Sequence, residues 1–264
     1  GFASKEKLTR TVYLSLAFGC IFVKVPSMSE QQAIEEFSFY GENLTCERGG
    51  RVVFADLNFA LSSGQALVLR GPNGSGKSSL LRMLAGFLAP TLGGFSYKNG
   101  LDGGVISLGQ KLGDFTTLIH YVGHQTALKP VFSARETLSQ FTALLGADES
   151  LIETALSALN LGPLSDLSVR YFSEGQQRRL GLARLVAIPR PIWLLDEPTN
   201  GLDSQSVGLL TDLMNQHLKS GGMIIAATHL DMDIQSNTLN LNDYIPQQNF
   251  NSDNRFDWSM EEDA

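Results

Sequence analysis

Residues Gly71-Pro72-Asn73-Gly74-Ser75-Gly76-Lys77-Ser78 match G-x-x-x-x-G-K-[ST] in full. The residue types suit phosphate. Glycines let the backbone curl so that N–H groups point inward at phosphate oxygens. Lys77 brings a mobile charge for β- and γ-phosphates, and the Ser78 hydroxyl is the expected Mg²⁺ ligand. Ser79 follows, so a helix opening there turns its positive dipole end toward the same anion.

Further along, Pro191 to Leu195 is an apolar run closed by Asp196 and Glu197. Two carboxylates at the end of a buried strand are costly unless they face a cation or water. Asp196 can complete the Mg²⁺ shell, and Glu197 can polarise an attacking water. Between these two motifs stands Phe172-Ser173-Glu174-Gly175-Gln176. Ser173 with Gln176 three residues on forms a capping box, which makes a second helix start and a second anion site.

These groups need elements to hold them. Ala66 to Leu69 reads as a buried strand before the glycine loop. Ser79 to Phe87 reads as a helix with Leu80, Leu81, Leu84 and Phe87 on one face. Ile119 to Gly123 and Met223 to Ala227 are further strand-like runs. Phe37 to Leu61, with turn residues at Gly49-Gly50 and Ser62-Ser63-Gly64, suggests an antiparallel patch, completed by Gly93 to Ile106. From about Ala134 to Leu180 the pattern is mostly helical, with Leu151, Ile152, Ala155, Leu156 and Leu159 as an apolar stripe.

Composition narrows the field. The chain has 264 residues, enough for one α/β domain with an inserted subdomain. Its 20 Lys+Arg against 27 Asp+Glu give net −7, which argues against a nucleic-acid partner. Two cysteines, Cys20 and Cys46, are too few for a disulfide framework. Val12 to Val23 is apolar but well short of the ~20 residues of a membrane-crossing helix. Lys5, Lys7 and Arg10 precede it, and Met28 reads as a plausible start. Residues 1–36 are therefore expected to be an extension, with 1–27 upstream of the true start; a transit remnant and an interfacial anchor are the alternatives. Residues 37–245 form the expected domain, and 246–264 a polar, disordered tail.

Together the glycine loop, the Ser173 helix start and Asp196-Glu197 resemble the ATP-binding cassette (ABC) ATPases, from about Phe37 to Tyr244. The resemblance implies an α/β phosphate-loop NTPase fold with a RecA-like core, an antiparallel β patch and an inserted helical subdomain at about 130–180. It implies ATP and Mg²⁺ as ligands. It also implies a homodimer in which Ser173, Gly175 and Gln176 of one copy meet the γ-phosphate held by the other. By the same resemblance Gln125 is the Q-loop glutamine that senses the γ-phosphate and Mg²⁺. Asp203, in Gly201-Leu202-Asp203, belongs to the D-loop that contacts the second copy, and His229 is the switch histidine. Arg48 is the candidate for stacking on adenine, with Phe54 as runner-up. The sequence departs from the family pattern at Phe172, usually Leu, and at Glu174, usually Gly or Ala. An acid in a first helical turn suits the dipole, but turned inward it would repel a triphosphate.

Finer features are similar to the cytochrome c maturation ATPase family, CcmA: Cys46-Glu47-Arg48, Val122-Gly123-His124-Gln125, Ala134-Arg135-Glu136-Thr137-Leu138, Gly175-Gln176-Gln177-Arg178-Arg179 and Leu182-Ala183-Arg184-Leu185. That likeness implies partnership with integral membrane subunits in haem export, at the cytoplasmic face of the inner membrane or the matrix side of the mitochondrial one. The ATPase itself is not expected to hold haem. There is no Cys-x-x-Cys-His, and His120, His124, His217 and His229 each have an ordinary strand, loop or helix reading. The alternatives are an ABC subunit for another exported cargo, a non-transport ABC ATPase, and a nucleotide-binding regulatory module without turnover.

Overall fold

The structure is a computed structural model that describes residues 9–16, 19–26, 37–99, 104–107, 117–229 and 233–246. Readings that fall on Met28 and on the tail from Gln247 lie outside the described residues. Strands β1 (Thr9–Leu16) and β2 (Gly19–Pro26) pair antiparallel with each other as a two-stranded sheet of their own. Within the apolar Val12 to Val23 stretch, residues 12–16 lie on β1 and residues 19–23 on β2.

β3 (Phe37–Arg48) and β4 (Arg51–Ser62) are joined by Gly49-Gly50, with φ of 57° and 73°. Two positive φ angles in a two-residue loop match the right-handed twist of the strands it joins. β6 (Leu92–Asn99) and β7 (Gly104–Ser107) complete an antiparallel sheet in the order β4-β3-β6-β7. Its buried side chains include Phe39, Phe59 and Phe95, with Phe39 edge-on to Phe59 at 5.4 Å and to Phe95 at 6.0 Å. Gly41 makes room for this cluster, since a Cβ there would lie 2.5 Å from the Phe59 ring.

The second sheet is parallel. It contains β5 (Ala66–Arg70), β8 (Ile119–Val122), β9 (Ile192–Asp196), β10 (Met223–Ala227) and β11 (Asn237–Asn240), in the order β11-β5-β10-β9-β8. β9 and β10 are buried along their whole length, as a parallel sheet covered on both faces requires. Alternation divides them between two cores. Ile192, Leu194, Met223, Ile225 and Ala227 pack with helix α1 (Lys77–Leu84) and the antiparallel sheet. Trp193, Leu195, Ile224 and Ala226 face the opposite cluster, fed by the helices that follow.

Those helices are α2 (Ala134–Leu144), α3 (Ile152–Ala158), α4 (Glu174–Ala187) and α5 (Ser204–Lys219), with 3-10 turns at Glu149–Leu151, Gly162–Leu164 and Val169–Tyr171. Ser133 and Glu136 cap α2 reciprocally, and Ser173 and Gln176 do the same for α4. Of the expected stripe, Ile152, Ala155, Leu156 and Leu159 are buried. α4 runs unbroken past residue 180 and contacts both α3 and β8, so it joins the helical block to the parallel sheet.

One helical expectation is corrected. α1 ends at Leu84 with Ala85 as its cap, and Gly86 at φ 79° turns the chain. Phe87 therefore leaves the buried face and is 71% exposed, its ring edge-on to Tyr121. Among the described residues no helix is long and apolar enough to cross a membrane.

Candidate functional site

Four parallel strands end side by side, and each releases its loop at its carboxyl end, where open α/β sheets hold ligands. β5 leads into the glycine loop, β8 into Gln125, β9 into Glu197 and β10 into Thr228-His229. Arg70 Nη1 donates to Thr228 O at 2.9 Å and ties two of these ends together.

The glycine loop is shaped by its own packing. Gly71, Gly74 and Gly76 have φ of 142°, 84° and 99°, a region L side chains rarely adopt. A Cβ on Gly76 would lie 2.7 Å from Val53 and 2.8 Å from Phe54, so the loop rests directly on β4. Lys77 Nζ donates to Gly71 O at 2.7 Å and Pro72 O at 3.1 Å. Ser75 Oγ is buried with no hydrogen-bond partner. A buried hydroxyl in that condition costs free energy until an acceptor or donor meets it, which suits a loop built around a polar ligand.

Ser78 Oγ donates to Asp196 Oδ1 at 3.0 Å, and Tyr121 OH reaches Asp196 Oδ2 at 3.5 Å. Burial, with the Asp196 charge adding to it, raises the Tyr121 phenol above its usual range. Asp196 is only 4% exposed. Among the described residues no three His, Cys, Asp or Glu side chains cluster as a metal cage. One carboxylate and one hydroxyl suit Mg²⁺, which keeps waters and draws further oxygens from substrate phosphates. The residues present therefore fit a nucleotide with its divalent ion.

Beside this pair, His229 Nε2 lies 3.2 Å from Glu197 Oε1; His229 is largely exposed and Glu197 largely covered. Glu197 adopts φ 47°, and its N–H donates to Ala227 O at 2.8 Å. Gln125 is exposed in the loop after β8 and makes no hydrogen bond to Ser78 or Asp196.

Ser173 N–H donates to Gln176 Oε1 at 2.8 Å, and Gln176 N–H to Ser173 Oγ at 3.3 Å. Gly175 fits closely under Gly201 O, 3.1 Å from where a Cβ would sit. Glu174 is exposed in the first turn of α4. Asp203 caps α5 by accepting from Ser206 N at 2.8 Å, and that bonding lowers its pKa. Arg48 is exposed at the β3–β4 turn. Phe54, its runner-up, is fully buried beneath Gly76, so core packing accounts for it.

Sequence reasoning passed over Arg178 except as part of a family marker. Its guanidinium donates to the carbonyls of Gly123, His124, Asp196 and Glu197. The available signal was its register. Arg178, Leu182 and Leu185 share one buried face of α4, a place where a charge needs a reason.

The fold and this site define a nucleotide-binding ATPase domain. The chain belongs to the ABC transporter family, whose model matches residues 54–200, and within it to the CcmA type. It is 45% identical over 201 residues to the cytochrome c biogenesis ATP-binding export protein CcmA of Rhodospirillum rubrum, covering 76% of this chain and 84% of that protein. The protein of the same name from Paramagnetospirillum magneticum is 45% identical over 206 residues, covering 76% of this chain and 92% of the relative. The Brucella abortus protein is 42% identical over 193 residues, covering 73% and 86%. Among solved structures, an ABC transporter ATP-binding protein from Pyrococcus furiosus superposes with a TM-score of 0.67 at 21% identity, covering 79% of this chain and all of that one. An ATP-binding subunit of an ABC transporter gives 0.66 at 22% identity, covering 73% of this chain and 79% of that one.

Proposed function

We propose that this chain is the ATP-hydrolysing subunit of an ABC export complex of cytochrome c biogenesis, of the haem-exporting type. It works as a homodimer with integral membrane subunits, on the cytoplasmic face of the inner membrane or the matrix side of the mitochondrial one. The observation that carries the hydrolytic reading is Ser78 Oγ at 3.0 Å from Asp196 Oδ1, directly after the glycine loop. The likeness to the CcmA proteins supports the cargo class.

In this reading Lys77 leaves the carbonyls of Gly71 and Pro72 and moves its charge to the β- and γ-phosphates. Ser78 and Asp196 would hold Mg²⁺, with Gln125 as a further oxygen donor. The ion, when bound, neutralises charge on the phosphate oxygens. Glu197 Oε1 orients water and takes its proton, and His229 Nε2 donates where negative charge grows. Gly71 to Ser79 cradle the phosphates, and Arg48 covers the base. Ser173, Gly175 and Gln176 of the second copy close the site, with Asp203 at the dimer contact. The helical segment at about 130–180 faces the membrane subunits.

The test is to purify the chain from membranes with whatever co-purifies, identify the partner, and measure ATP hydrolysis. ATP turnover with a membrane partner of cytochrome c assembly is the expected result. A partner from another export system would overturn the cargo class and leave the ATPase standing; absence of turnover in the assembled complex would overturn the ATPase.

A further inference from the structure

We propose that Arg178 is a positioning residue for hydrolysis: its guanidinium clamps the main chain of the loop that carries Gln125 to the turn that carries Glu197. The inference rests on the ATPase reading above, and the bonds of Arg178 go to main-chain carbonyls.

Arg178 is 5% exposed, on the buried face of α4. A charge so placed is tolerated only with compensating bonds. Here the bonds go to main-chain oxygens and to no carboxylate. Nη1 donates to Gly123 O at 2.8 Å and His124 O at 3.1 Å. Nη2 donates to Glu197 O at 2.7 Å and Asp196 O at 3.3 Å. One side of the planar fork thus holds the β8 loop and the other the end of β9, at a separation set by covalent geometry. Carbonyls, unlike carboxylates, are fixed to the backbone, so the fork dictates where the chain runs.

Its effect falls on Glu197. That residue sits at φ 47°, which a non-glycine residue seldom adopts. Its N–H is held by Ala227 O at 2.8 Å and its carbonyl by Arg178 at 2.7 Å. Pinned at both ends, the peptide aims the carboxylate at His229, 3.2 Å away. Gly123 and His124 stand directly before Gln125, so the same fork sets where the glutamine loop leaves the sheet. Burial pulls the Arg178 pKa down, and the Asp196 and Glu197 charges pull it back up. The group stays protonated throughout, as arginine does in proteins. Because Ser173 caps α4, the clamp also joins the capped helix start to both loops through one rigid element.

The experiment uses the full chain in complex with its co-purified subunits, in Arg178→Met and Arg178→Lys forms. Arg178→Met removes every donor at similar length and should lower kcat by about 10- to 100-fold with KM for ATP held within about threefold. Hydrogen exchange read by mass spectrometry should speed up in 123–127 and 197–202 but not in 180–187. Arg178→Lys keeps the charge without the fork and should fall between Met and wild type. Unchanged kcat in Arg178→Met, kcat and KM worsening together, or exchange rising equally in 180–187 would each overturn the proposal. If Arg178→Met does not fold, Arg178→Lys decides alone: lowered kcat with preserved KM supports the clamp, and wild-type kcat with wild-type exchange refutes it. A wild-type complex without ATP turnover would sink the ATPase reading, while the exchange comparison would still decide whether the clamp exists.

Discussion

His229 Nε2 lies 3.2 Å from Glu197 Oε1, although the two residues come from loops after different strands of the parallel sheet. In the proposed mechanism the contact pairs the group that would accept a proton with the group that would donate a hydrogen bond. Glu197→Gln keeps the shape and removes the proposed base. It should retain ATP binding, lower turnover by about 10²-fold or more, and trap an ATP-dependent dimer visible by size-exclusion chromatography. Undiminished turnover in that variant would remove Glu197 from the role.

Ser173 separates helix stability from site chemistry. Ser173→Ala loses the cap and should cost about 1 kcal/mol in urea unfolding. Ser173→Asp keeps a cap acceptor and adds a negative charge at the helix start. It should unfold near wild type yet abolish ATP-dependent dimerisation, because in the proposed homodimer the added charge would face the triphosphate held by the other copy. An Asp variant that dimerises normally with ATP would show that Ser173 serves α4 alone.

Gly76 and Gly74 differ in surroundings though both have positive φ. A Cβ at Gly76 meets Val53 and Phe54 below 3 Å, whereas at Gly74 it meets nothing within 4 Å. Gly76→Ala should therefore cost about 1–3 kcal/mol of stability and disable nucleotide binding. Gly74→Ala carries the φ strain without the clash and should lose less. Denaturant melts and a fluorescent-nucleotide titration compare the two, and equal losses would refute the packing argument.

Two buried imidazoles make stability depend on pH. Burial lowers His120 to about 3, with the Arg184 charge adding to it, and lowers His217 to about 4. Unfolded, both titrate near 6.5. Below that value the unfolded chain binds protons that the folded chain does not, so stability is full above the unfolded pKa. It is lost progressively as pH falls toward the folded values. For His120 the loss between pH 7 and pH 5 is about 2 kcal/mol. His217→Phe keeps a ring stacked on Trp193, now 3.8 Å away at 8°, and removes one titrating group. Urea midpoints at pH 7, 6 and 5 should give a shallower slope for that variant than for wild type.

The amino-acid sequence by itself determined what is local. The glycine loop, the capping box at Ser173, and the apolar runs of β5, β9 and β10 depend on bonds and periodicities spanning a few residues. They could be read without knowing any neighbour. Phe87 shows the limit at one helix end, where Gly86 broke a register that continued on paper.

Tertiary structure alone decided which distant residues meet. Ser78 and Asp196 are 118 positions apart and bond because β10 lies between β5 and β9 in the sheet, an order that buried apolar runs do not specify. Any permutation of such strands would bury comparable surface, so burial cannot rank them. The same holds for Arg178. Its charge on a buried face was visible in the sequence, but its four partners are main-chain carbonyls, which every residue carries, so no side-chain pattern could mark them.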